Sequence, residues 1–259
     1  MDHINDAQNF FLENGYVKFN NKSSISYQLI RDVIATELEQ YGFDFESIHK
    51  KIKIDELNNV RMNIFNKINS IKNWEDHLYS IGGEVISKII GNEISIQNKL
   101  NFSIQMPGDK LSQIPMHTDR AGGHSLFECV LWIAFTTSNK TSSMYIVDPE
   151  TSISILNELP NYELNGINLL EKKYLNKLKF IEVVPGDCIL FSSNLYHGNV
   201  VNEEASTRIS INCRFKSLWA PEYKKYPNER VTGSFYKPYK LSPVSIFASK
   251  FLNKEPKFV

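Results

Sequence analysis

The chain has 259 residues, and its 29 Lys and Arg balance its 29 Asp and Glu, so the formal net charge is zero. That balance lacks the basic footprint of a nucleic-acid binder, and no run approaches the ~18 apolar residues that a membrane span needs. The length suits one sizeable domain with decorations. The opening Met-Asp-His-Ile-Asn-Asp has no basic stretch ahead of an apolar run, so no secretory signal is expected. Cys129, Cys188 and Cys213 are odd in number, lack C-x-x-C spacing and sit in strand-like segments. They are expected to be reduced core residues of a cytoplasmic protein.

In chain order, Phe10 to Phe19 contains Gly15 followed by alternating apolar positions, which predicts a short strand. Leu29, Ile30, Val33, Ile34 and Leu38 have helical spacing, so Ser24 to Tyr41 is predicted as an amphipathic helix. Asp55 to Leu78 reads as a helical pair broken near Asn73, and Gly82 to Ile90 as another helix stopped by Gly91. From Ser95 the character changes. Short runs rich in Ile, Val, Phe, Tyr and Cys predict strands at Asn101 to Gln105, Ser125 to Thr137, Ser143 to Asp148, Lys179 to Val184, Cys188 to Ser192 and Thr207 to Phe215. This pattern suits an α+β protein built on a double-stranded β-helix, the jelly-roll barrel of the cupins. The expected organisation is one domain over 1–259: a buttressing helical part over about 1–94, the barrel over about 95–217, and an extension over about 218–259. Residues 149–178 read as a helical or loop insertion near the barrel mouth. The tail from Trp219 is expected to wrap the surface or to help an oligomer contact, such as that of a homodimer.

The chemistry concentrates at His117-Thr118-Asp119, with His197 far downstream and Arg208-Ile209-Ser210 beyond it. Two imidazoles and one carboxylate make the facial triad of a non-haem Fe(II) site, which leaves open positions for other ligands. On a strand, residues i and i+2 point the same way, so His117 and Asp119 can serve one metal ion, with His197 arriving from another strand. Arg208, eleven residues after His197, shares a strand face with Ser210 and Asn212, which suits a fork for a carboxylate with hydroxyl support.

These residues carry a resemblance. Gln105-Met106-Pro107-Gly108, Pro115-Met116-His117-Thr118-Asp119, Gly123-His124-Ser125, Glu128, Trp132, Thr141-Ser142-Ser143-Met144-Tyr145, Pro185-Gly186-Asp187, His197-Gly198-Asn199 and Arg208-Ile209-Ser210 follow one another in the order and spacing of the Fe(II)/2-oxoglutarate-dependent oxygenases. Within that superfamily the chain resembles the branch of phytanoyl-CoA hydroxylase-like proteins and of streptomycin-cluster and sporadic-carbohydrate-cluster oxygenases. The resemblance covers roughly residues 95 to 217. It implies that His117, Asp119 and His197 hold Fe(II), that 2-oxoglutarate chelates the metal, and that Arg208, helped by Ser210, grips the distal carboxylate. Gln105 and Thr141 become candidates for hydrogen bonds to the keto acid or substrate. Trp132 either packs beside the keto acid or belongs to the core. His124 stands as a support of the site, a substrate contact or a structural hydrogen-bonder, and Glu128 needs a partner if it points inward. Asp187 reads most simply as a turn residue.

The implied activity is oxidation, most simply hydroxylation, of a small molecule, with release of succinate and CO2. A saccharide or sugar-derived metabolite is the substrate class the resemblance favours. Two other readings stand beside it: a cupin-fold metal-binding protein or isomerase that does not use 2-oxoglutarate, and a structural member of a biosynthetic cluster with a dead site.

Overall fold

Gly15, at φ +73°, turns the chain from helix α1 (Asp2–Asn14) into strand β1 (Tyr16–Asn20). The left-handed conformation is one a Cβ would disfavour, and a Cβ here would also come within 2.9 Å of Leu195. The expected strand is present; the helix before it was not anticipated. The structure, a computed structural model, describes residues 2–42, 44–161, 166–221 and 230–251.

Three helices follow: α2 (Ile25–Leu38), α3 (Ile54–Asn69) and α4 (Trp74–Ile89). Their buried positions recur at three- and four-residue steps: Tyr27, Ile30, Ile34 and Leu38 on α2, and Leu57, Val60, Ile64 and Ile68 on α3. The expected break at Asn73 is real, with φ at +55°, and Gly91 at φ +110° ends the run. A second helix starting at Gly82 is a correction: α4 runs unbroken through Gly82-Gly83. A glycine costs a helix about 1 kcal/mol relative to alanine. Here Gly82 is buried, and a Cβ on it would lie 3.0 Å from Leu131, so its smallness lets helix and sheet close up.

The rest is sheet with one helical insertion. The strands are β2 (Ile94–Gln97), β3 (Asn101–Gln105), β4 (Ile114–His117), β5 (Glu128–Ala134) and β6 (Tyr145–Ile146). After helices α5 (Pro149–Glu158) and α6 (Gly166–Lys173) come β7 (Lys179–Phe180), β8 (Asp187–Ser192), β9 (His197–Asn199), β10 (Arg208–Ser217) and β11 (Tyr236–Lys240), then α7 (Pro243–Ser249). A seven-stranded sheet runs β1-β8-β5-β10-β2-β11, with β3 also pairing β10, and a four-stranded sheet runs β4-β9-β6-β7. The pairings within both sheets are antiparallel. This is the jelly-roll barrel with buttressing helices.

Strand alternation divides the core. Cys129, Leu131, Ile133, Cys188, Leu190, Ile209, Ile211, Cys213 and Phe215 face outward onto α2, α3 and α4. Val130, Trp132, Ala134, Ile189 and Phe191 face inward and meet Met144, Ile146, Ile181 and Val183 across the barrel. The insertion packs behind the small sheet, where Ile155 and Leu170 join Met116, Tyr145, Val147 and Tyr196. Residues 162–165 of the expected insertion lie outside the described residues. The three cysteines are free and buried, as expected of core thiols.

The tail differs from expectation. Its β11 pairs with β2, so the main sheet extends past residue 217. Pro238 sits at the irregular edge of this pairing, where a missing N–H is tolerated. Residues 222–229 and 252–259 of the tail lie outside the described residues. No helix among the described residues is long and apolar enough to cross a membrane.

Candidate metal centre

Strand β4 ends at His117, which pairs in register with His197 of β9. Asp119 is not on the strand, contrary to expectation: it opens a 3-10 turn over Asp119–Gly122. The intervening Thr118 is still extended, at φ −112° and ψ 144°, so alternation carries two residues past His117 and brings the carboxylate round to the same side. The Thr118 hydroxyl faces the other way and accepts from the Ala121 N–H at 3.2 Å, capping the turn.

Ligand atoms of His117, Asp119 and His197 all lie within 4.8 Å of one another, close enough for one metal ion to meet all three. Both histidines are prepared alike. The Nδ1 of His117 lies 2.9 Å from the Pro115 carbonyl, and that of His197 lies 2.9 Å from the Leu195 carbonyl. A carbonyl only accepts, so Nδ1 carries the proton and Nε2 keeps its lone pair for a metal. Burial pushes the His197 imidazole down to about 4, against the pull of Asp119, so the ring is neutral at neutral pH. Burial works to raise the Asp119 carboxyl, but the Arg214 guanidinium overrides it and holds the group at about 2. A neutral imidazole and an ionised carboxylate are the forms that bind metals.

Gly198 and Asn199 set the spacing. A Cβ on Gly198 would fall 2.6 Å from the Tyr145 hydroxyl and 2.7 Å from the Ile114 carbonyl, so only glycine lets β9 lie this close to both neighbours. Asn199 accepts from the Ile114 N–H at 2.5 Å and donates to the Ser112 carbonyl at 3.1 Å. It thereby replaces ladder bonds where the β4–β9 register shifts.

His117 and His197 line a pocket of about 120 Å³, together with Trp132, Arg208, Asn212 and Arg214. That is well below the roughly 300–1,000 Å³ usual for drug-sized ligands. Arg208 is 4% exposed, and its Nε and Nη1 find no hydrogen-bond partner among the described residues. Burial lowers this guanidinium to about 10, yet it stays charged at neutral pH. The Ser210 hydroxyl, two residues along the same face, is also buried without a partner among the described residues. Gln105 stands opposite Arg208 in the β3–β10 register; its Nε2 donates to the Val200 carbonyl at 2.6 Å, and its Oε1 is unpartnered among the described residues. Buried polar groups normally have partners. Arg208 and Ser210 thus leave donors open two residues apart on one strand face, and Gln105 leaves an acceptor open beside them.

Trp132 both lines this pocket and packs in the inner core with Val130 and Met144. Thr141 lies elsewhere. Its hydroxyl donates to Glu204 at 2.9 Å and accepts from the Glu203 N–H at 3.0 Å, which pins a loop outside the pocket lining. His124 and Glu128 meet behind the triad rather than in the pocket, with Nδ1 2.9 Å from Oε1. Two partners there were not anticipated. Arg214 continues the Arg208, Ser210, Asn212 alternation by one more step, so the strand pattern held its signal. Tyr236 arrives from the tail, where no pattern announced it.

No protein-family model and no curated protein matches the chain. Solved structures do resemble it. EctD from S. alaskensis with bound Fe superimposes at a TM-score of 0.58 with 13% identity, over 89% of this chain and 82% of that one. The Ni complex of ThoJ, a non-heme monooxygenase, gives 0.53 with 12% identity, over 84% and 79%. SnoK, a non-heme alpha ketoglutarate dependent carbocyclase from nogalamycin biosynthesis, gives 0.50 with 14% identity, over 90% and 95%. The likeness is one of fold: the chain has the jelly-roll barrel of non-heme oxygenases. In that barrel it carries a His-Asp-His cluster beside a buried arginine whose Nε and Nη1 have no hydrogen-bond partner among the described residues.

Proposed function

We propose that this protein is an Fe(II)- and 2-oxoglutarate-dependent dioxygenase acting on a small molecule. The observation that carries the reading is the pairing of two half-sites at one pocket: a metal-ready triad whose two histidines line it, and a buried Arg208 guanidinium whose Nε and Nη1 have no partner among the described residues. His117, Asp119 and His197 hold the iron. Arg208 and Ser210 grip the distal carboxylate of the keto acid in a charge-assisted fork, with the Gln105 and Trp132 side chains beside it. When bound, the pair would supply oxidising chemistry with O2 as the oxidant: one oxygen atom of O2 enters succinate as the keto acid loses CO2, and the other oxidises the substrate. The protein's part is to orient the two carboxylate ends and to keep water from the Val130, Trp132 and Met144 wall.

The primary substrate in this reading is a saccharide or sugar-derived metabolite, supported by the sequence resemblance. The 120 Å³ pocket leaves it to approach from outside the keto-acid site. Anaerobic titration of the protein with Fe(II) and then 2-oxoglutarate tests the proposal. A visible metal-to-ligand charge-transfer band that requires both is expected. Iron uptake without a band would replace the oxygenase reading with a cupin-like metal protein. With the band in hand, succinate release against a panel of sugars and acyl-CoA thioesters decides the substrate class.

A further inference from the structure

Arg214 makes a two-pronged contact with Asp119: its Nε donates to Oδ2 at 3.1 Å, and its Nη2 donates to Oδ1 at 2.8 Å. The same guanidinium is held from other sides. Its Nη1 donates to Gln97 Oε1 at 3.3 Å, and its Nε lies 3.4 Å from Glu128 Oε1. Glu128 is 1% exposed and is fixed in turn by the Tyr236 hydroxyl, which donates to Oε2, and by the His124 ring. The His124 Nδ1 also lies 2.9 Å from the Tyr236 hydroxyl. Through Tyr236, Glu128 and Arg214, strand β11 of the tail is connected to Asp119, a metal-ligand candidate.

We propose that Arg214 is a positioning residue that restricts Asp119 to one-oxygen coordination of the metal, with Glu128, His124 and Tyr236 holding the guanidinium in place. The inference rests on the metal reading proposed above. An ionised carboxylate offers about four lone-pair sites. A guanidinium fork across both oxygens takes the two that point outward together, and those are the pair a chelating metal ion would use. Asp119 then meets an ion through a remaining lone pair on a single oxygen; Oδ1 lies 4.0 Å from His117 Nε2. In a six-coordinate ion, two imidazoles, a chelating Asp119 and a two-point keto acid would fill every position, whereas one-oxygen coordination leaves one open for O2. The guanidinium also draws on the carboxylate's charge, so it weakens the hold on the ion while keeping that position open. Loss of the Arg214 fork should therefore leave metal affinity intact or higher while closing the position for a small added ligand, a pattern that general loss of structure does not produce.

The test uses Arg214→Lys, which keeps the charge without the fork, and Arg214→Gln, which keeps a donor without the charge. Co(II) is titrated into each full-length protein and followed by its visible bands; 2-oxoglutarate is then added to saturation, and azide is titrated as a small ligand for the remaining position. Expected are a Co(II) affinity equal to or above that of the wild type, altered bands, and an azide affinity at least about tenfold lower, because the second Asp119 oxygen fills the position azide would take. Tyr236→Phe should move both affinities in the same directions by less. Unchanged azide affinity, or equal falls in both affinities, overturns the positioning role and leaves the metal reading intact. Wild-type protein that takes up no Co(II) overturns both. Should neither Arg214 variant fold, Tyr236→Phe decides by the same criteria.

Discussion

His117 and His197 face each other directly across the β4–β9 ladder, with ring centroids 4.3 Å apart. The pairing brings together two residues eighty positions apart in the chain, each with its Nδ1 tied to a backbone carbonyl. His197→Ala should abolish metal uptake while leaving the barrel folded, because the surrounding core is apolar and continuous through Phe191 and Val130. Metal analysis after dialysis, beside far-UV circular dichroism, checks this. Stoichiometric iron retained by the variant would remove His197 from the triad.

Gly198 separates the ligand strand from both neighbours. Gly198→Ala should force β9 away from the Ile114 carbonyl and the Tyr145 hydroxyl, widening the histidine pair. Overpacking of this kind costs about 1–3 kcal/mol, and displaced ligands lower metal affinity by about 10–100-fold. Adding Tyr145→Phe should recover part of the stability and little of the affinity, because the Ile114 carbonyl still stands in the way. Thermal melts and Co(II) titration read the two effects separately.

Arg208 leads to opposite expectations with and without ligand. Its Nε and Nη1 are buried without a hydrogen-bond partner among the described residues, and burying a charge costs on the order of several kcal/mol in desolvation that an apolar chain of similar volume avoids. Arg208→Met should therefore raise the melting temperature of the free protein. It should also lose the further stabilisation that 2-oxoglutarate gives the metal-loaded wild type. A keto-acid affinity equal to wild type would show that the carboxylate is anchored elsewhere.

Asp187 supplies an acid-dependent element of stability away from the site. Burial works to raise its carboxyl, but Asn20, the Val184 N–H and Lys18 outweigh that and hold it below its ordinary value. A folded-state pKa below the unfolded one means the carboxylate stabilises the fold above its ordinary value, near ~4. That stabilisation is lost as the pH falls through the folded-state value. Asp187→Asn should lower stability at pH 7 by about 1 kcal/mol, with the difference shrinking below about pH 4. Urea melts at pH 7 and pH 3 compare the two; a pH-independent difference would mean the loss is steric.

Much of this protein follows from local pattern. The apolar spacing of α2 and α3, the turn at Gly15 and the alternating β3, β5, β8 and β10 are set by side chains near in sequence, as are the parity of Arg208 with Ser210 and of His117 with Asp119. Short-range sterics and one-sided burial act within a few residues, so they leave a readable period. What tertiary structure alone decided is what joins distant segments. Gly82 packs against Leu131 of the sheet from within the unbroken α4, and Thr141 is drawn off to Glu203 and Glu204. Glu128 has a near partner in His124, four residues before it, and finds its distant ones in Arg214 and in Tyr236 of a tail with no period of its own. A buried carboxylate requires partners, but its own sequence neighbourhood does not name the distant ones. That depends on which strands the barrel brings side by side.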